Sequence, residues 1–153
     1  MRAILSNGEE ITFKSFNEIV GKEFYDNITI LYCDFNKLKE LPELPKSLIE
    51  LYCYNNQLEK LPELPKSLIE LVCSYNKLKE LPLSMLLCNR LNYCNYSNNE
   101  IVLTIPQMRF LERPNNRNTN NSVYNSVYND TQNVHNHNIQ LSLVKSINAL
   151  MKD

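Results

Sequence analysis

Apolar residues in the first two thirds of this 153-residue chain recur at an interval of twenty positions. Residues 41–60 and 61–80 are identical at fourteen of their twenty positions, and a weaker copy begins at Ile28. A repeat this short cannot enclose a hydrophobic core by itself, so neighbouring copies must stack and bury each other's apolar positions. The pattern therefore predicts a small solenoid in which each copy forms one coil.

Within each coil, alternating residues predict one short strand. In residues 50–54, Leu51 and Cys53 alternate with polar or aromatic residues, which places these two inside and their neighbours outside. Stacked coils should pair their strands as a parallel sheet with a spacing of about 4.8 Å. The Leu-Pro-x-Leu-Pro segments at 41–45 and 61–65 then exclude a helix and favour an extended polyproline-II return with inward leucines.

Each coil also carries one cysteine inside and one asparagine where the strand ends. A free cysteine at a core position behaves as a small hydrophobic residue, and a linear row of thiols does not converge on a metal, so no metal or cofactor is expected. An amide among aliphatic residues indicates bonds to turn backbone groups of its own coil and the next one. The residues interpreted as structural are Cys33, Cys53, Cys73, Asn36, Asn56 and Asn76.

The repeat reads L-x-x-L-x-C-x-x-N-x-L, followed in two copies by L-P-x-L-P. It resembles the leucine-rich repeat family, and its length and doubled Leu-Pro resemble the short subclass of secreted bacterial effectors and large DNA viruses. The resemblance covers residues 28–83 clearly and 84–105 weakly. It implies an α/β-type solenoid, mainly β and polyproline-II, in the form of a short arc with the parallel sheet on its concave face. It also implies a protein-interaction role in the cytoplasm, including that of a host, as for an effector or viral protein.

Some effectors with this repeat carry a C-terminal ubiquitin-ligase domain whose nucleophilic cysteine is followed two residues later by Asp. Here Cys33 directly precedes Asp34 inside a repeat, and about 50 residues follow the repeats, too few for such a domain. We therefore expect no enzymatic activity. The alternative is an adaptor that recognises substrates for a ubiquitin ligase acting in trans.

The sequence divides into four segments. Residues 1–27 do not fit the repeat and are predicted to form an N-terminal cap, with one or two strands and a brief helix around 15–23. Residues 28–105 contain three clear coils, one degenerate coil and a closing strand at 101–105. Residues 106–133 are predicted to be an Asn-rich flexible linker, and 134–153 an amphipathic helix. That helix docks on its own solenoid or mediates partner binding or self-association.

Composition narrows the range of partners. The net charge is −1 with a pI of about 6.1, and no basic stripe is present, which argues against nucleic acid. No apolar run approaches the roughly 20 residues that cross a bilayer, so no membrane contact is expected. The first residues lack the features of a signal peptide, and the odd number of cysteines favours a reducing compartment.

The concave face is the predicted site for a protein or peptide ligand. Tyrosine offers a large contact area at low entropic cost, which suits an interface. Glu50 and Glu70 would favour a basic element on the ligand, unless Arg90 neutralises Glu70 in the next coil. The predicted contact residues are Tyr32, Asp34, Glu50, Tyr52, Tyr54, Glu70, Val72, Tyr75 and Arg90.

Overall fold

The computed structural model describes residues 1–114. Their strands form a single sheet in the order β2-β1-β3-β4-β5-β6. The strands are β1 (Arg2–Leu5), β2 (Glu10–Thr12), β3 (Ile28–Tyr32), β4 (Glu50–Tyr52), β5 (Glu70–Val72) and β6 (Tyr93–Asn95). The helical elements are 3-10 helices at Phe16–Glu18, Tyr25–Asn27 and Leu83–Leu87, and the α-helix α1 at Ile105–Leu111.

The predicted solenoid is confirmed by the register of β3, β4 and β5. These strands are parallel, and Leu31, Leu51 and Leu71 lie directly opposite one another at the predicted interval of twenty. All three leucines are fully buried, as are the cysteines two positions further on. The repeat region thus has the architecture of a leucine-rich-repeat solenoid, with one strand per coil and its core between the sheet and the return segments.

The return segments place their leucines inside, as the proline spacing predicts. Leu41 and Leu61 are buried, and so are the leucines three positions later. Each segment ends in a turn in which a proline carbonyl accepts a backbone hydrogen bond three residues on, at 3.1 Å from Leu48 and 3.0 Å from Leu68. The carbonyl of proline can accept a hydrogen bond in such a turn. Because proline has no N–H, it cannot continue a helix.

The fourth coil does not keep the interval of twenty. Cys94 lies opposite Leu71, and Tyr93 lies opposite Glu70, an interval of 23. The additional residues lie in the return segment, where the 3-10 helix Leu83–Leu87 replaces the second Leu-Pro. The placement of Arg90 beside Glu70, which continued the interval of twenty into the fourth coil, was therefore wrong.

The N-terminal cap is a β-hairpin that extends the sheet. β1 pairs antiparallel with β2 and with β3, so Ala3 lies opposite Leu31. The brief helix predicted around 15–23 is a 3-10 turn, begun by Ser15 in a capping box with Glu18. The hairpin covers the edge of β3, so the sheet ends on this side in the three-residue strand β2, and a short edge strand offers little backbone for strand addition.

The closing strand predicted at 101–105 is wrong, and so is the start of the linker at 106. Thr104 caps α1 instead, and its side chain forms a capping box with Gln107. Pro106 falls in the first turn of α1, where its missing N–H has no intrahelical acceptor to lose. α1 packs against the 3-10 helix Leu83–Leu87 and buries Phe110, and thus closes the end of the solenoid. The rest of the predicted linker and the helix at 134–153 lie outside the described residues.

Candidate functional site

The outward residues of β3, β4 and β5 form two rows across the sheet. One row contains Ile30, Glu50 and Glu70, and the other contains Tyr32, Tyr52 and Val72. All of them are partly exposed. This part of the predicted site is brought together as expected.

The fourth coil supplies different residues from those predicted. Arg90 lies exposed in the turn before β6, and the rows continue with Tyr93 opposite Glu70 and Asn95 opposite Val72. Sequence reasoning missed Tyr93 and Asn95 because it extended the interval of twenty by one coil too many. The signal for the longer interval was present in the spacing from Leu91 through Cys94 and Tyr96 to Asn99.

Three side chains form a continuous stack at the N-terminal side of this face. The guanidinium carbon of Arg2 lies 4.2 Å from the centroid of the Tyr32 ring. The Tyr32 and Tyr52 rings are stacked, with centroids 5.0 Å apart and an interplanar angle of 8°. Arg2 also pairs with Glu10, at 3.6 Å. Arg2 was not predicted as part of this face because it comes from the hairpin, which is outside the repeat.

The phenol of Tyr52 is held between two carboxylates. Its O–H is 2.9 Å from Glu50 Oε2 and 2.9 Å from Glu70 Oε2, and with a single proton it donates to one of them at a time. Desolvation, and then these hydrogen bonds, raise the pKa of Tyr52 well above its ordinary value. The phenol of Tyr52 is therefore neutral. Its ring is held in one orientation by stacking on Tyr32 and by the hydrogen bonds of its hydroxyl.

A third row lies at the rim of the face, just past the strand ends. Its four residues, one per coil, share a left-handed backbone with φ between 54° and 56°. We call this the rim row; it consists of Phe35, Asn55, Tyr75 and Asn98. The two aromatic members are largely exposed, Phe35 at 64% and Tyr75 at 57%.

The residues that precede the rim row differ in exposure. Asp34 and Tyr54 are partly exposed, and the Tyr54 ring meets the Phe35 ring edge-on at 5.2 Å. Ser74, at the same position in the next coil, is buried. The predicted contact residues Asp34, Tyr54 and Tyr75 therefore lie at one side of the outward face, in three successive coils.

Beneath the rim row, each interior asparagine joins two coils. Asn56 Nδ2 donates to the carbonyls of Cys53 in its own coil, at 3.0 Å, and Cys33 in the preceding coil, at 2.9 Å. Its Oδ1 accepts from the backbone N–H of Leu38, at 3.0 Å. Asn76 repeats this arrangement one coil later. The predicted role is confirmed, except that the second coil is the preceding one and not the next.

The two ends of the asparagine row differ from its interior. Asn36 is exposed, because its coil is the first and no earlier asparagine-bearing coil lies beside it; its Nδ2 donates to the carbonyl of Asp34. Asn99, which the interval of twenty failed to identify, is the fourth member. Its Nδ2 donates to Cys73 O and its Oδ1 accepts from the N–H of Leu78, both at 3.0 Å.

The five cysteines are free and buried. Burial raises the pKa of the Cys33 and Cys94 thiols to about 12 and that of Cys88 to about 11, and it raises those of Cys53 and Cys73 well above the ordinary value. A buried neutral thiol is a poor nucleophile. Within residues 1–114 no group of three or more His, Cys, Asp or Glu is arranged to hold a metal ion. In that same range no helix is long and apolar enough to cross a membrane.

Comparison with known proteins gives a partial likeness to a solved structure. No protein-family model and no curated protein matches this chain. Among solved structures, the leucine-rich effector protein YopM from Yersinia pestis is 39% identical over 48% of this chain, with a TM-score of 0.44. This chain spans only 20% of the length of that one. The repeats of the two proteins are thus similar in sequence, over a small part of the longer chain.

Proposed function

We propose that this protein is a non-catalytic interaction module that binds a protein or peptide on its concave face. The observation that carries the proposal is the fixed stack of Arg2, Tyr32 and Tyr52, tied to Glu50 and Glu70 at its end. These side chains line the outer surface of the sheet, not its core. Rigid aromatic side chains that lose little entropy on contact are typical of interface hot spots.

The chemistry of the cysteines supports a binding role. The thiols have raised pKa values and lie inside the solenoid, so they favour packing over nucleophilic catalysis. Free thiols also suit a reducing compartment such as the cytoplasm, including that of a host cell. Action as a microbial or viral effector follows as a proposal from the resemblance of the repeats.

The test is a quantitative pull-down from cell lysate with the full chain and two charge-matched variants. The first, Glu50→Lys/Tyr52→Ser/Tyr54→Ser/Glu70→Lys, alters the concave face. The second, Glu43→Lys/Glu63→Lys, makes the same charge change at exposed positions of the return segments. Circular dichroism of both variants establishes that they are folded.

We expect partners to be lost from the concave variant and retained by the control. Ubiquitin-ligase subunits among those partners would select the alternative function, an adaptor for a ligase acting in trans. A chain that ends at Pro114 tests whether residues 115–153 carry the function instead. Partners lost only from this truncated chain would assign binding or self-association to those residues. If the wild-type chain and both variants retain the same proteins, the concave face is not the site.

A further inference from the structure

The rim row contains two aromatic residues that the fold does not require. In the left-handed region asparagine is several-fold enriched, whereas a bulky side chain there is a conformational outlier. The chain itself uses asparagine at this position in two coils, at Asn55 and Asn98. Phe35 and Tyr75 adopt the same backbone conformation, yet both side chains remain mostly exposed. Burial therefore does not compensate their unfavourable backbone conformation.

The charges at the outward strand positions next to the rim row have one sign. Asp34, Glu50 and Glu70 are the charged residues at the outward positions of the first three coils, and no Lys or Arg occupies those positions. All three are partly exposed. Two acidic side chains in one row and a third near the rim make this part of the face complementary to a cation.

The hairpin provides an example, within this chain, of the group that such a surface accepts. Arg2 places its guanidinium over the Tyr32 ring and pairs with the carboxylate of Glu10. A guanidinium between an aromatic face and a carboxylate gains from both cation–π attraction and charge pairing. Phe35 and Tyr75 offer exposed rings at the rim of the same face, and Phe35 directly follows Asp34.

We propose that the partner presents an arginine-bearing extended segment to the surface formed by the rim aromatics and the carboxylates of Asp34, Glu50 and Glu70. This inference rests on the proposed function and specifies the chemistry of its ligand. The carboxylates attract and orient the guanidinium groups, and the exposed rings of Phe35 and Tyr75 receive them.

The test uses fluorescently labelled peptide libraries of about ten residues, random except for two central positions. These positions are both arginine, both citrulline or both glutamate; citrulline has nearly the shape of arginine without its charge. Binding to the full chain is measured by fluorescence anisotropy at low and at high salt. We expect the arginine library to bind about tenfold more tightly than the citrulline library, and this difference to shrink in high salt.

Two neutralised variants establish where the arginine peptides bind. Asp34→Asn/Glu50→Gln/Glu70→Gln retains the shapes and the acceptor groups for Tyr52, and it should reduce the preference for arginine to near unity. Three other exposed glutamates are changed to glutamine in the control, which should keep the preference; they are Glu40, Glu63 and Glu80.

A third variant, Phe35→Asn/Tyr75→Asn, uses the residue that the other two coils carry, so it should fold normally. It is expected to weaken binding of the arginine library. Equal binding of arginine and citrulline peptides, a preference for glutamate, no binding by any library, or an equal effect of the control variant would each overturn the inference. If lysate partners are lost from the Lys/Ser concave variant but survive the neutral Asn/Gln variant, the proposed function stands and only the arginine chemistry is wrong.

Discussion

The side-chain oxygen of Asn56 accepts a hydrogen bond from the backbone N–H of Leu38, 3.0 Å away in the preceding coil. The side-chain amide of Asn56 also donates hydrogen bonds to the carbonyls of Cys33 and Cys53, so one side chain bonds to backbone groups of two coils. Asn56→Ala should lower the free energy of unfolding by about 3 kcal/mol, because several shielded polar groups lose their partner. Urea denaturation measures this loss.

Asn36→Ala is the matched control for that experiment. Its side chain is exposed and bonds to the carbonyl of Asp34 in its own coil, so water can replace it. A loss below about 1 kcal/mol is expected. If the two substitutions were equally costly, the bonds between coils would not be the source of the effect.

The rim row predicts a substitution that stabilises the protein. Tyr75→Asn should raise the free energy of unfolding by about 0.5–1 kcal/mol, because asparagine tolerates the left-handed backbone better and the Tyr75 ring is mostly exposed. The reverse change, Asn98→Tyr, should lower it by a similar amount. Thermal or urea unfolding of both proteins checks the prediction, and a destabilised Tyr75→Asn protein would show that the ring contributes to packing.

Two tyrosine hydroxyls, one buried without a partner and one hydrogen-bonded, should respond in opposite directions when they are removed. The hydroxyl of Tyr96 is buried with no hydrogen-bond partner within residues 1–114, whereas that of Tyr25 donates to the carbonyl of Glu43 at 2.7 Å. Tyr96→Phe should therefore stabilise the fold by about 1 kcal/mol, and Tyr25→Phe should destabilise it by about 1 kcal/mol. Denaturation midpoints of the two variants that move in the same direction would contradict this difference.

The buried thiols predict a loss of stability at alkaline pH. Burial raises the pKa of Cys33 and Cys94 from the ordinary value of 9.0 to about 12 in the folded protein. The unfolded chain therefore releases these protons first, and the stabilisation that is complete below pH 9 is lost as pH rises towards the folded values.

The free energy of unfolding should accordingly decrease between pH 9 and 11, as measured by urea denaturation at each pH. Tyr25 and Tyr96, whose pKa values are also raised to about 12, add to this decrease. Cys94→Ala isolates the thiol contribution, since the variant should lose less stability over the same range. An identical decrease in the variant would show that Cys94 takes no part in it.

The interval of twenty predicted most of the solenoid because stacking fixes which residues meet. It identified the inward leucines and cysteines, the parallel strands and two of the asparagines that join coils. It failed in the fourth coil, where Leu91 falls at twenty positions from Leu71 by coincidence. The spacing from Leu91 to Asn99 in fact repeats that from Leu68 to Asn76.

Both ends of the solenoid were harder to predict because they depend on contacts outside the repeat. The alternation of residues 101–105 resembles a strand, yet Thr104 and Gln107 have the spacing of a helix capping box. The buried Gln107 also donates to the carbonyl of Leu81 at 2.8 Å, a contact that only the folded coil supplies. In the same way, Arg2 joins the candidate site through antiparallel pairing of β1 with β3, which no repeat spacing encodes.

Because the ends are closed by the hairpin and α1, the number of coils between them can vary independently of both caps. Residues 41–60 and 61–80 present nearly the same surfaces to their neighbours, so another such unit placed between them would meet matching interfaces on either side. Unequal recombination between the two DNA copies makes that change in a single event. The interaction surface of this protein can thus lengthen or shorten by whole coils, while substitutions such as Tyr52 versus Val72 diversify each coil separately.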